Sequence, residues 1–347
     1  MAPVERWRAV LSRRTPDRLP MDYWGTDETT ARLKRHLGCP TKRAMLEKLR
    51  VDFIVEAKPA YVGPKLSRLT DVFGCRFRYL GYGPGRYREC VHAPLARFGS
   101  VEEIEKSYRW PDPDWWDTRS IPRALRGLER YPVRGGGSEP FLTYKFLRGE
   151  EQAFVDLIEN PEIVRYALGK LFDLAHENTR RILETIPDRV TCVYVAEDLG
   201  GQTDLMVSAG HIRAFLLPGM KRMIDLAHSA GAHVFHHDDG SIRRILPDLV
   251  SAGIDLLNPI QWRCPGMDRE GLKRDFGGRI VLHGGMDNQQ TLPFGSVEDV
   301  RREVLDNIAL LGRGGGYILA PCHNIQPMTP PENVVAMYET GYECGWY

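Results

Sequence analysis

The sequence predicts an α/β protein organised as one (β/α)8 barrel, and three observations carry that expectation. Short apolar runs alternate with amphipathic helical stretches, in units of roughly 30–40 residues through the C-terminal half. The apolar runs number about eight, enough to close a parallel sheet on itself. The last five runs each end in polar residues capable of chemistry, the pattern produced when parallel strands share one C-terminal face. A doubly wound open sheet is the alternative. It is weakened because no Gly-x-Gly-x-x-Gly follows an early strand.

In chain order, residues 4–12 form a short helix with Trp7, Val10 and Leu11 on one face. Residues 18–24 read as a first buried strand closed by Gly25, residues 29–37 and 46–49 as helical, and residues 52–56 as a second strand. Residues 60–120 are rich in glycine, proline and aromatics, with a hairpin around Arg76–Tyr79. This excursion is read as packing over one end of the core, so that residues 1–347 form a single domain. Pro140–Tyr144 is expected as a strand, followed by helices near 149–158 and from Pro161 to about Ile186. Strands are then expected at 190–195, 232–235, 255–258, 279–284 and 317–320, separated by helices at 211–230, 242–252, 267–276 and 296–311. A last helix covers 331–341.

Composition narrows the function classes. The 347 residues are 42% hydrophobic and 27% charged, with a net charge of +1, which favours neither nucleic acid nor an anionic membrane surface. No apolar run approaches a membrane span, and the first residues lack the apolar core of a signal peptide. Seven scattered cysteines without a Cys-x-x-Cys pair suit a reducing compartment, so the protein is expected in the cytoplasm.

The candidate site residues fall at the strand ends. Glu197 and Asp198 follow one strand. His236, His237, Asp238 and Asp239 follow the next, where three of the ten histidines fall within five positions. Asn258 and Gln261 follow the third, His283, Asp287 and Asn288 the fourth, and Cys322, His323, Asn324 and Gln326 the last. Alternation along a strand sends His236 and His237 to opposite sides, while His237 and Asp239 can face the same way. His233 is expected in the core and Asp238 as a helix cap. Cys322 reads either as an inert buried thiol or as a site residue. A His, an Asp and a Cys thiolate can together hold a divalent ion such as zinc with one position open, and Asp can equally act as a general base.

Five segments carry a family resemblance: Glu197-Asp198-Leu199-Gly200; Phe235-His236-His237-Asp238-Asp239-Gly240; Asp255-Leu256-Leu257-Asn258-Pro259; His283-Gly284-Gly285-Met286-Asp287; and Ala320-Pro321-Cys322-His323-Asn324-Ile325-Gln326-Pro327. In these the sequence resembles the uroporphyrinogen decarboxylase superfamily, which implies the barrel reached above from spacing. True decarboxylases of that superfamily grip porphyrinogen carboxylates with an N-terminal segment like Arg-Gln-Ala-Gly-Arg. The matching region here is Met21-Asp22-Tyr23-Trp24-Gly25-Thr26-Asp27, so porphyrinogen is not the expected substrate.

The resemblance is nearer in type to the corrinoid-dependent methyltransferase branch, which holds zinc with a His-x-Cys pair and a distant Cys. His237 and Cys322 match that pattern, and Asp239 stands where the first cysteine would be. The resemblance therefore implies zinc or another divalent metal at His237, Asp239 and Cys322, in a site harder than a thiolate-rich one. The implied activity is O-demethylation of a methoxylated small molecule, with the methyl group passed to a corrinoid on a separate protein. Glu197, Asp198 or His323 would handle the proton, with Trp24, Tyr144, His283, Asn324 and Gln326 lining or orienting the substrate. A homodimer is compatible with the resemblance. A metal-independent decarboxylase or lyase of a small acid is the first alternative, and a non-catalytic binding protein the second.

Overall fold

Seven parallel strands pair in simple chain order: β1 (Val55–Ala57), β2 (Val133–Ser138), β3 (Cys192–Ala196), β4 (His233–His237), β5 (Leu256–Ile260), β6 (Val281–Met286) and β7 (Tyr317–Pro321). The computed structural model describes residues 1–83 and 85–347. The sheet curls, and Pro20–Asp22 fills the gap between its edges. Leu319 N donates to Pro20 O at 3.0 Å, Asp22 N to Leu319 O at 2.9 Å, and Asp52 N to Met21 O at 2.7 Å. The barrel thus closes through an eighth extended segment held by few backbone bonds.

Alternation along each strand divides its residues between two environments. Val193, Val195, Val234, Leu257 and Leu282 belong to the main core beneath the helices. Cys192, Phe235, Leu256, Val281 and Ile318 form a separate inner cluster with Trp7, Val10 and Leu11. The helix Pro3–Leu11 contributes those last three residues and so plugs the N-terminal end of the barrel. Its Trp7 Nε1 donates to Asp52 O at 2.7 Å, which satisfies the one polar atom of a fully buried indole. The long helix Pro161–Thr185 buries Ile163, Val164, Ala167, Leu168, Leu171 and Phe172, at helical spacing on one face.

The excursion contains the expected hairpin, Arg76–Tyr82 with Gly85–His92. Its base packs Phe77 edge-on against Phe146, with ring centroids 5.4 Å apart. Near its tip Tyr82 Oη donates to Gln326 Oε1 at 2.6 Å, beyond the end of β7. The hairpin therefore reaches the rim of the barrel mouth.

Several expectations need correction. Pro140–Tyr144 is not a strand: it begins the helix Pro140–Arg148, and the strand precedes it as Val133–Ser138. Three consecutive glycines gave that strand no β signature. Residues 18–24 form no regular ladder, only the short closing segment and isolated bridges. The helix expected from residue 242 starts at Leu246. His233 is not a core residue; its side chain is 28% exposed beside Asp255. Among the described residues, no helix is long and apolar enough to cross a membrane.

Candidate metal centre

At the C-terminal end of the barrel, Asp198, His237 and Asp239 each direct one donor atom into a common space, with all three atoms within 4.8 Å of one another. His237 Nε2 lies 3.5 Å from Asp198 Oδ1 and 4.0 Å from Asp239 Oδ2. His323 Nε2, on the loop after β7, stands 3.6 Å from the same Asp239 oxygen. Asp198 follows β3, and His237 ends β4, pointing inward like Phe235 two residues before it. The β3 loop can pass this close because Gly200 has no side chain: a Cβ there would lie 2.2 Å from Asp239 O.

The imidazole of His237 is held by a buried chain of hydrogen bonds. Its Nδ1 meets Asn258 Oδ1 at 2.6 Å. Asn258 Nδ2 meets His283 Nδ1 at 2.7 Å, and His283 Nε2 meets Asp22 Oδ2 at 3.1 Å. Asp22 also accepts from Trp24 Nε1 at 3.0 Å and from Tyr23 N at 2.9 Å. A carboxylate only accepts, so the direction of the chain is fixed from that end. His283 Nε2–H donates to Asp22, Asn258 donates to His283 Nδ1, and His237 Nδ1–H donates to Asn258. Nε2 of a neutral His237 then carries its lone pair toward the two carboxylates. A histidine held in one tautomer through its other nitrogen is how metal-binding imidazoles are oriented.

The electrostatics follow from crowding. Burial alone would lower the pKa of His237, but the flanking Asp198 and Asp239 outweigh it and push the imidazole up to about 9. Burial pulls Asp198 upward too, yet neighbouring His237 holds it below the ordinary carboxylate range. Asp239 is raised, because burial prevails over the attraction of His237 and His323. Glu139, placed just after β2, is pushed up to about 7 by burial and by the nearby charge of Asp198.

The donor set fits a divalent ion. Asp198 Oδ1 and Asp239 Oδ1 are both buried without a hydrogen-bond partner, an arrangement costly for carboxylates unless a cation joins them. One imidazole nitrogen and two carboxylates are suitable ligands for zinc and for harder ions.

The remaining candidates divide clearly. Cys322 is buried away from the three donors; its Sγ–H donates to Ile260 O at 3.0 Å, and burial raises its pKa well above the usual thiol value. It is not part of the donor cluster, and Asp198 takes the third position instead. Glu197 is fully buried and accepts from Phe141 N at 2.9 Å and Leu142 N at 3.3 Å, so it caps the helix Pro140–Arg148 rather than facing the mouth. Tyr144 is buried on that helix, and its hydroxyl donates to Asp156 at 2.6 Å, so it is committed to the helix packing. His283 lies beneath the site in the hydrogen-bond chain. Asp238 caps no helix; it accepts from Leu199 N at 2.7 Å and Gly200 N at 3.2 Å, fastening the loop that carries Asp198. Gln326 anchors the hairpin.

Trp24 and Asn324 do face a cavity, of about 670 Å³, with Tyr23, Lys42, Phe53, Glu56, Arg134 and Tyr194 among its other walls. Trp24 stacks on His237 with ring centroids 5.3 Å apart, and Tyr194 at 6.0 Å, so the cavity adjoins the donor cluster through these two rings. Glu139, Arg134 and Tyr194 were missed in the sequence. With β2 placed at 133–138, Glu139 is the first residue past the strand end, one step beyond the Ser138–Val195 pair of the ladder.

Residues 117–344 match the family model described as uroporphyrinogen decarboxylase (URO-D). The chain belongs to the uroporphyrinogen decarboxylase family. A uroporphyrinogen decarboxylase from Methylococcus capsulatus is 25% identical over 364 aligned residues, covering 98% of this chain and 94% of the relative. One from Pseudomonas fluorescens Pf-5 is 26% identical over 225 residues, or 62% of this chain, and the match spans 56% of the relative's length. Among solved structures, a methyltransferase from Methanosarcina mazei superposes with a TM-score of 0.69 over 99% of both chains at 22% identity, which establishes a shared fold. This family member carries neither a thiolate pair nor an arginine-rich N-terminal segment at the positions discussed above.

Proposed function

We propose that this family member is a methyltransferase of the O-demethylase type, moving a methyl group from a methoxylated small molecule to a corrinoid carried by a separate protein. The observation that carries the reading is the Asp198–His237–Asp239 cluster, in which each carboxylate has one unpartnered buried oxygen and His237 Nε2 faces both side chains. A divalent ion held by these three residues, zinc or a harder one, would supply Lewis acidity toward an ether oxygen. Asn258, His283 and Asp22 keep His237 in the tautomer that offers Nε2. Trp24 and Tyr194 form the wall between cavity and cluster, and Asn324 offers the substrate a polar contact. His323, 45% exposed at the rim and beside Asp239, is positioned to give a proton to the oxygen that loses its methyl group.

The test is metal content together with methyl transfer. Purified protein should bind about one divalent ion per chain, and His237→Ala and Asp239→Ala should lose it. Transfer from a methoxylated aromatic to a supplied cobalt(I) corrinoid protein should stop in strong chelator and return on adding metal. Full transfer activity in chelator would reject the reading.

One observation favours a second reading. With its pKa pushed up to about 9, His237 keeps a proton at neutral pH between two carboxylates, which is what a decarboxylase needs to protonate carbon. That reading expects release of carbon dioxide from a small acid in chelator and without a corrinoid.

A further inference from the structure

We infer that the arginine-rich hairpin, Arg76–Tyr82 with Gly85–His92, is a docking arm for a partner protein whose facing surface is acidic. The inference rests on the proposed function in one respect: it identifies that partner as the corrinoid protein that receives the methyl group.

The hairpin concentrates charge. Residues 61–98 hold seven lysines and arginines against two carboxylates, although the whole chain is almost balanced, at 47 against 46. The two strands carry Arg76, Arg78, Arg86 and Arg88 and a single acidic residue, Glu89. Arg78 is committed to Glu89, directly across the strands, at 2.5 Å. Arg86 meets Glu28 only at 3.9 Å, and Arg76 and Arg88 form no ion pair among the described residues.

Two of these guanidinium groups are ordered without being neutralised. That of Arg86 lies 4.5 Å from the ring centre of Tyr79, and that of Arg88 lies 3.8 Å from the ring centre of Phe77. Stacking on a ring steadies a guanidinium and leaves its N–H edge free to fork onto a carboxylate. The register pairs Tyr79 with Arg88 and Gly81 with Arg86, so Phe77, Tyr79, Arg86 and Arg88 share one face. At its base that face packs on the barrel through Phe77 and Phe146; farther out it is open, with Tyr79 49% exposed. A two-stranded hairpin is marginal in water by itself. This one carries tyrosines and arginines into solvent, residue types that dominate the energetics of protein–protein contacts.

Position selects the partner. The tip is bonded through Tyr82 to Gln326, on the loop that carries His323. Arg86 reaches toward Glu28 on the helix Asp27–His36, whose N-cap Thr26 is bonded to Ile325 of that same loop. A protein gripped by the hairpin therefore sits beside the barrel mouth, where the methyl group has to leave. Complementary charge of this kind speeds encounter and fixes orientation. Nucleic acid or an anionic membrane would call for a broader positive field than a chain of net charge +1 presents.

The test measures binding of the corrinoid protein from the transfer assay to the full chain by biolayer interferometry, without metal or substrate. The parent should bind with a Kd below about 100 µM and more weakly as salt is raised. Arg86→Gln with Arg88→Gln should weaken binding at least about tenfold and remove most of the salt dependence. Arg86→Lys with Arg88→Lys should recover part of the loss, and Arg78→Gln, which removes an arginine already paired, should stay within about twofold. Thermal melts establish that each variant is folded. In the transfer assay the paired Gln variant should raise KM for the corrinoid protein, with kcat unchanged and with transfer to free cobalt(I) cobalamin unchanged. No binding by the parent, equal binding by the parent and the paired Gln variant, or tighter binding of the parent to duplex DNA or phosphatidylserine vesicles would each overturn the inference. If docking behaves as expected but no methyl group moves to either acceptor, the docking arm stands and the O-demethylase reading fails.

Discussion

Replacing Asn258 tests whether the buried hydrogen-bond chain prepares His237 for a metal. Asn258 is 1% exposed and joins two imidazoles, at 2.6 Å and 2.7 Å. Asn258→Leu keeps the approximate volume but strips one acceptor and one donor. His237 Nδ1–H and His283 Nδ1 are then both buried without partners, at about 1–3 kcal/mol each, so the fold should lose about 2–6 kcal/mol. Without a partner for Nδ1, His237 is free to place its proton on Nε2, the nitrogen needed by the ion. Loss of such a supporting partner costs about 10–100-fold in metal affinity, or about 1.4–2.7 kcal/mol. Asn258→Asp provides the contrast. It still accepts from His237 Nδ1, and His283 can take a proton to bridge two carboxylates, so affinity should stay near that of the parent. The assay is cobalt(II) titration followed by its visible absorption, with competition by a chelator and thermal melts to establish folding. A folded Leu variant that binds cobalt as tightly as the parent would refute the argument for the tautomer.

Three further outcomes are expected. Cys322→Ala should leave metal affinity within about twofold, whereas Asp198→Ala should lower it by at least about tenfold; the reverse ranking would restore the thiol as a ligand. Glu139, pushed up to about 7, holds its proton more tightly folded than unfolded, so its contribution to stability is greatest below about pH 4.5 and is lost as pH rises through 7. Denaturant titrations of the metal-free protein at pH 5 and pH 8 should show Glu139→Gln recovering up to about 3 kcal/mol of that loss. Asp156→Ala should cost about 3–5 kcal/mol in the same experiment, because it leaves Arg148, only 4% exposed and 2.5 Å from Asp156 Oδ2, as an unpaired buried cation.

The barrel was legible because five C-terminal strands are largely buried, mostly apolar runs that end in polar residues, a pattern that parallel strands under helices impose. The N-terminal half was harder to read. Strand β2 is half glycine, and the closing segment Pro20–Asp22 holds its place through tertiary bonds to Leu319 and Asp52 rather than through any local propensity. The site was read in part. His237 and Asp239 followed from alternation along β4. The pairing of Asp198 with them, and the exclusion of Cys322, depended on how far each loop turns after its strand, which no periodicity encodes. The same holds for Asp22: nothing local says that a carboxylate 261 residues before His283 lies beside it in the barrel.

The geometry changes what the aspartate at position 239 means. Considered alone, Asp239 weakens a site that otherwise keeps a histidine and a cysteine. In the folded chain the cysteine is turned away toward Ile260 O, and Asp198 faces His237 and Asp239, so the close donors are one imidazole and two carboxylates where the resemblance implied two thiolates. The formal charge offered to an ion is the same, minus two with neutral histidine, but oxygen ligands are harder and transfer less electron density than sulfur. An ion in this set would keep more of its charge for the incoming atom and would favour oxygen over sulfur there. That preference agrees with an ether oxygen, which leaves as an alkoxide or phenoxide once its methyl group is taken, and argues against a sulfur atom in that position. It also sets a direction for specificity: Asp239→Cys with Asp198→Cys should raise affinity for zinc relative to magnesium while slowing transfer from a methoxy substrate. Faster transfer in that double variant would mean that the paired carboxylates serve some other chemistry.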